Sequence, residues 1–147
     1  MQQRFHDLEI RVRYQETDQM RRVYHGNYLA YFEMGRTEML RAAGGSYRVF
    51  EEAGLFLVVA EASVRYLKAA EYDDLIVVRT HVGLIRLASV EHTYEVLRDG
   101  ELLATGRTLL VCVNREGNVT RLPEWLFGPR APQARRGGDG PAGVNHD

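Results

Sequence analysis

The segment from Asn27 to Ala43 constrains the fold more than any other part of this 147-residue chain. Tyr28, Leu29, Ala30, Tyr31, Phe32, Met34 and Gly35 cover nearly every side of the start of a helix there. A helix that is apolar all round is expected to be buried all round. Its polar residues, Glu33, Arg36, Thr37, Glu38 and Arg41, fall mostly in the second half. Asn27 fits an N-cap and Gly44-Gly45 a stop. A short second helix is expected from Tyr47 to Ala53, ended by Gly54.

The other periodic segments alternate with a period of two, as half-buried strands do. Leu8, Ile10, Val12 and Tyr14 alternate with Glu9, Arg11 and Arg13. Val58, Ala60, Ala62, Val64 and Tyr66 form one further row; Ile76, Val78, Thr80, Val82 and Leu84 form another. Val90, His92, Tyr94 and Val96 make a third, and Leu102, Ala104, Gly106, Thr108, Leu110 and Cys112 a fourth. Asp99-Gly100 between the last two is a hairpin signal, because both residues tolerate positive φ. One long helix and about five antiparallel strands predict an α+β domain in which a curved sheet wraps the helix. The opposite strand faces carry Val59, Leu67, Leu75, Val77, Ile85, Leu97, Leu103, Leu109 and Val111. That much apolar area predicts cover by another subunit, hence an oligomer.

The length fits one domain, expected over residues 1–127. Residues 128–147 are rich in Pro, Gly and Arg with almost nothing apolar, and are expected to be a disordered tail. Nineteen basic and twenty acidic side chains nearly cancel, which argues against a nucleic-acid surface. The single cysteine, Cys112, excludes an intrachain disulfide and reads as a buried thiol in a strand. The five histidines are scattered without metal-ligand spacing, so no metal is expected. Residues 1–7 have no apolar segment of a leader, and no run reaches the roughly 18 apolar residues of a membrane span. The expectation is a cytoplasmic protein.

Chemistry concentrates where the first strand meets the long helix. The short loop that opens the helix carries the acid Asp18. A helix N-terminus offers unpaired N–H groups and a partial positive charge. A carboxylate can activate water, and N–H groups can hold an oxyanion. Together they point to hydrolysis of an activated carbonyl. The plainer reading of Asp18 is a turn acid that caps local N–H groups.

Residues Tyr14 to Glu38 resemble the 4-hydroxybenzoyl-CoA thioesterase family of hot-dog-fold proteins. They look closest to its branch of bacterial acyl-CoA thioesterases associated with the Tol-Pal system. The resemblance rests on Tyr14, Glu16-Thr17-Asp18, Val23-Tyr24-His25, Asn27-Tyr28, Tyr31-Phe32-Glu33 and Arg36-Thr37-Glu38. Weaker matches are Tyr72-Asp73-Asp74-Leu75, then Gly106, Thr108, Val111 and Val113, then Leu122-Pro123. It implies a hot-dog fold, a homodimer with sheets joined edge to edge or a homotetramer, and active sites at the subunit boundary. It implies that Asp18 is general base or nucleophile, and that the thioester carbonyl meets N–H groups near Tyr24, His25 and Gly26. The substrate would be an acyl-CoA, and CoA would be part of the substrate rather than a cofactor. One departure is Met20-Arg21-Arg22, in a loop that is often small and Gly- or Ala-rich in relatives.

His25 can orient substrate or water, or serve as a structural histidine. Tyr24 is read as structural, with a backbone N–H of interest. Gly26 lets a ligand approach the backbone. Glu33 is expected in a network with Arg36 and Thr37, and Glu61 in a pair with Arg65 or another cation. CoA phosphates need cations, for which Arg21, Arg22, Arg65, Lys68 and Arg86 are candidates. Ser89, after Arg86, is placed to meet pantetheine through its backbone. No Gly-x-Ser-x-Gly elbow is present, which argues against a serine hydrolase. The alternatives to a thioesterase are a hot-dog hydratase or dehydratase using His25 with Glu61, or a non-catalytic acyl-CoA-binding module.

Overall fold

The structure, a computed structural model, describes residues 5–127. The expected tail at 128–147 lies outside the described residues. The elements run β1 (Phe5–Arg11), α1 (Asn27–Ala42), α2 (Tyr47–Glu52), β2 (Leu55–Tyr66), β3 (Leu75–Ile85), β4 (Ser89–Arg98), β5 (Glu101–Asn114) and α3 (Glu124–Phe127), with a 3₁₀ turn at Tyr14–Glu16. The strands form one antiparallel sheet in the order β1-β3-β4-β5-β2. This is the expected α+β arrangement of one long helix against a five-stranded sheet.

The alternation read from the sequence sets the inner face. Ile76, Val78 and Thr80 on β3, Val90, His92, Tyr94 and Val96 on β4, and Ala104, Thr108, Leu110 and Cys112 on β5 are all buried. Helix α1 lies close to this face because two glycines remove side chains from the contact. A Cβ on Gly35 would press on Thr80 and Val78, and one on Gly106 would overlap the Phe32 ring. Phe32 stacks flat on Tyr94, with ring centroids 4.2 Å apart. Asp99 and Gly100 both have positive φ, 53° and 80°, and close the β4–β5 hairpin as expected. Gly44, at φ 91°, ends α1, and Gly45 N–H returns to the Leu40 carbonyl.

Three expectations are corrected. First, the row from Val58 to Tyr66 is broken by a bulge. Val59 faces Leu110 but Glu61 faces Leu109, so Ala60 is an extra residue. The inner row therefore passes from Leu55, Leu57 and Val59 to Ala62, Val64 and Tyr66, and Val58 turns outward. Strand β3 slips likewise between Val82 and Ile85, which puts Ile85, not Leu84, opposite Val90. Second, the outer face is not a broad apolar surface. Arg79 pairs with Asp7 at 2.8 Å, His81 with Glu95 at 3.6 Å, and Arg107 with both Glu91 and Glu61. Leu103, assigned to that face, is fully buried in the core. Third, α1 is not covered all round within one protomer. Tyr28, Tyr31, Phe32, Gly35 and Leu40 are buried, while Leu29 and Met34 are 43% and 44% exposed.

Candidate active site

Between the 3₁₀ turn and α1 the chain folds back on itself. Thr17 and Val23 form an antiparallel bridge. Inside it, Asp18 N–H donates to the Arg22 carbonyl at 2.8 Å and Arg21 N–H to the Asp18 carbonyl at 2.9 Å. Asp18 Oδ1 accepts from Met20 N–H at 2.9 Å and Arg22 N–H at 3.2 Å. Among the described residues Oδ2 has no partner, and Asp18 is exposed. The capping and catalytic readings are thus compatible: one carboxylate oxygen fixes the turn and the other stays available. The turn is docked on the segment before β3, where Tyr72 N–H reaches the Arg21 carbonyl and Val23 N–H the Ala70 carbonyl, each at 2.9 Å.

The entry to α1 differs in detail from the sequence reading. Gly26 stands at the N-cap, with αR angles, and Asn27 is the first helical residue. The Asn27 side chain instead donates to the Glu16 carbonyl at 2.7 Å. Tyr24 N–H donates to the same carbonyl at 2.9 Å, so it is already used within the fold. The N–H groups of His25 and Gly26 have no acceptor among the described residues. The His25 carbonyl accepts the Tyr66 hydroxyl at 3.0 Å, which ties this corner to β2. The His25 ring lies 4.4 Å from the Tyr24 ring, centroid to centroid. Gly26 also lies close to Tyr24, where an added Cβ would come within 2.9 Å of the ring.

Glu16 organises this corner, and the sequence reading gave it no role. Its Oε1 accepts from Arg13 N–H at 2.9 Å and from the Tyr31 hydroxyl at 2.8 Å, and its Oε2 from Arg13 Nε at 3.0 Å. Its carbonyl holds Tyr24 and Asn27, so one residue joins the loop to α1. Burial pushes the Glu16 pKa up, but these donors outweigh it and hold the carboxyl below its ordinary 4.5. Burial, then Glu16, push Tyr31 well above the usual phenol range. A depressed carboxyl stabilises the fold above its unfolded pKa, and that contribution is lost as pH falls through the folded pKa. Melting temperatures of wild type and Glu16→Gln should differ most near neutral pH and converge as pH drops below 4.5. A difference independent of pH would contradict the ionised role of Glu16.

The candidate CoA contacts are not brought together in one protomer. Arg65 is exposed on the outer face opposite Thr105, in a groove with Ser63, Gly106 and Arg107. Lys68 is paired with Glu101 beside the β4–β5 hairpin. Arg86 lies in the β3–β4 turn and Ser89 begins β4, at the other end of β3 from the docked loop; Arg86 N–H donates to the Ser89 carbonyl at 2.8 Å. Ser89 is 1% exposed, which corrects its placement against pantetheine within this protomer. Glu61 pairs with Arg107 at 3.1 Å on the outer face. The His25 corner is instead tied to Tyr66 of the inner row, so one protomer does not form the acid–histidine pair that a hydratase needs. Glu33 is exposed and not ion-paired to Arg36 among the described residues. Those residues hold no cluster able to bind a metal ion, and no helix among them is long and apolar enough to cross a membrane.

Residues 12–128 match the thioesterase-like superfamily. The chain is 35% identical over 109 residues to a putative acyl-CoA thioesterase of Bacillus subtilis, YneP, covering 74% of this chain and 79% of that protein. It is 34% identical over 106 residues to the acyl-CoA thioesterase YbgC of Haemophilus influenzae, covering 71% and 78%. Among solved structures, a DHNA-CoA thioesterase from Staphylococcus aureus superposes with a TM-score of 0.79 at 34% identity, covering 84% of this chain and 83% of that one.

Proposed function

The chain belongs to the thioesterase-like superfamily, and on that premise we propose that it is an acyl-CoA thioesterase whose water is activated by Asp18. The observation that carries this reading is the division of labour in the Asp18 carboxylate. Oδ1 is fixed by two N–H groups while Oδ2 has no partner among the described residues, and the same segment between the 3₁₀ turn and α1 carries the His25 and Gly26 N–H groups, which have no acceptor among those residues. Oδ2 takes a proton from water, and the oxygen attacks the thioester carbon. The developing oxyanion accepts from His25 N–H and Gly26 N–H. The intermediate then expels the CoA thiolate, and Asp18 passes it the proton taken from water, leaving free acid, CoA and the Asp18 carboxylate. The same free oxygen suits a route in which Asp18 itself attacks. The reaction needs no cofactor, since CoA leaves as a product.

Within the superfamily we assign the chain to the 4-hydroxybenzoyl-CoA thioesterase branch, nearest the Tol-Pal-associated enzymes, on its Tyr14–Glu38 block. A cytoplasmic setting belongs to the same reading. The panel that tests it is thiol release from short, medium and aromatic acyl-CoAs, run beside enoyl-CoA hydration. Thiol release without hydration is expected. Hydration without thiol release would favour the hydratase reading, and tight binding with neither would favour a binding module.

The oligomer is proposed from the free edge of β2. Among the described residues this strand pairs only with β5, and its apolar start, Leu55-Phe56-Leu57-Val58-Val59-Ala60, is left unpaired on the other side. Val58 and Val59 are 44% and 51% exposed. The opposite edge, β1, carries Asp7, Glu9 and Arg11, the charges that discourage pairing. Antiparallel pairing of β2 with its copy would satisfy the edge and cover the exposed side of α1. Sedimentation at micromolar concentration should give a dimer or tetramer; a stable monomer would contradict it.

A further inference from the structure

The Asp18 turn rests on the chain between β2 and β3. Val23 N–H reaches the Ala70 carbonyl and Tyr72 N–H the Arg21 carbonyl, each at 2.9 Å, and between them Arg22 and Glu71 form an antiparallel bridge. Three consecutive residues of the turn, Arg21, Arg22 and Val23, thus lie against residues 70–72. The same residues shape the carboxylate. Arg22 N–H is one of the two donors to Asp18 Oδ1, and Arg21 N–H and the Arg22 carbonyl hold the Asp18 backbone. Both sides of the contact carry a non-glycine residue in the left-handed region, Arg21 at φ 65° and Asp73 at φ 73°. A residue with a Cβ avoids that region and persists in it only where its surroundings hold it there. Whatever holds residues 69–74 therefore also holds Asp18.

Arg98, the last residue of β4, ties the two ends of that segment together. Its Nη1 donates to Asp74 Oδ2 at 2.7 Å and to the Ala69 carbonyl at 3.2 Å. Asp74 Oδ2 also accepts Glu71 N–H at 2.8 Å, and Asp74 N–H donates to the Glu71 carbonyl at 3.1 Å. On the side toward β1, Asp73 N–H donates to the Val12 carbonyl at 3.0 Å and Val12 N–H to the Asp74 carbonyl at 2.9 Å. Those bonds fix residues 73 and 74; the Arg98–Asp74 pair carries the fixation across to Ala69 and Glu71. The Arg98 and Asp74 side chains are only 26% and 23% exposed, so water and salt screen this pair less than a pair on the open surface. Glu101 meets Arg98 Nη2 at 3.6 Å from the hairpin side, where it also pairs with Lys68. The His25 corner is held separately, by the Glu16 carbonyl and the Tyr66 hydroxyl.

We propose that Arg98 is a positioning residue for hydrolysis: with Asp74 it locks residues 69–74, and through them it sets where Asp18 Oδ2 stands relative to the His25 and Gly26 N–H groups. The inference rests on the thioesterase reading above. Arg98 touches neither Asp18 nor the His25 corner, so its effect passes through the backbone contacts of Ala70, Glu71 and Tyr72 with the turn. A displacement of about 1 Å in a reacting group can cost on the order of 10²-fold in rate. The loss belongs to kcat, because the base is misplaced while the groups that bind the substrate stay where they are.

The test is a double-mutant cycle on hexanoyl-CoA hydrolysis, followed by thiol release. Arg98→Met should lower kcat by about 10- to 100-fold and leave KM within about twofold. In the Asp18→Asn background the same change should cost less than about twofold, because the base that Arg98 positions is already gone. Arg98→Lys keeps a charge against Asp74 and should recover part of kcat. Asp74→Asn keeps the volume and an acceptor for Glu71 N–H but loses the charge that holds Arg98. It should repeat the pattern with a smaller loss, and it carries the test if Arg98→Met does not fold. Glu101→Gln removes only the contact on the hairpin side and should leave kcat unchanged. Wild-type kcat in the folded Arg98→Met variant, or in Asp74→Asn in its place, overturns the proposal. An equal fold-loss with and without the Asp18 carboxylate also overturns it, as does an equal loss in Glu101→Gln. A wild type that hydrolyses no acyl-CoA would instead remove the thioesterase reading on which the proposal stands.

Discussion

Asp18→Asn is expected to fold as the wild type does and to lose thioester hydrolysis by about 10²–10⁴-fold, the usual contribution of a general base. The amide keeps the volume and can still accept through Oδ1, so Met20 N–H and Arg22 N–H keep their partner. The loop should therefore hold its shape, and the side chain is exposed, so the melting temperature should move little. What disappears is the negative charge on Oδ2. The loss should fall on kcat with KM largely kept, because acyl-CoA binding does not depend on that charge. Steady-state thiol release, with melting curves as the fold control, measures it. Near wild-type turnover would return Asp18 to the status of a turn residue.

The second large effect concerns the fold that holds the site. Gly106→Ala should destabilise by about 1–3 kcal/mol or more, the range for overpacking a fitted core. The new Cβ would overlap the edge of the Phe32 ring, and that ring is stacked on Tyr94. Phe32 has no room to retreat, since it is fully buried. Relief therefore requires α1 to lift from the sheet. The helix carries Tyr31, the partner of Glu16, so the Asp18 loop should loosen as well. Chemical denaturation of the variant checks the stability term. An unchanged midpoint would mean that α1 sits less tightly on β5 than described.

Much of this was legible in the chain. Period-two rows on β3, β4 and β5 name the buried inner face, and the Asp99-Gly100 turn names the hairpin. The Asp18 loop stands out because it sets an acid just ahead of an apolar helix. What was not legible depends on register or on distant partners. A bulge inserts one residue, and an alternating run such as Val58 to Tyr66 looks continuous across it; only pairing with β5 reveals that Ala60 is extra. The outer face reads as apolar only when its hydrophobes are taken without the charges between them, Arg79, Glu61, Glu91 and Arg107 among them. The role of Glu16 gives no local signal, because its partner Tyr31 lies 15 residues away. The Arg36–Tyr94 contact spans 58 residues and gives no local signal. Tyr24, His25 and Gly26 looked equivalent as N–H donors until the Glu16 carbonyl was found to occupy the first.

The most direct measurement is a crystal structure of Asp18→Asn with intact hexanoyl-CoA bound. The account predicts the thioester oxygen within hydrogen-bond distance of both His25 N–H and Gly26 N–H, with the side chain at position 18 one water molecule away from the thioester carbon. A thioester carbonyl held by other donors, or one out of reach of position 18, would contradict it.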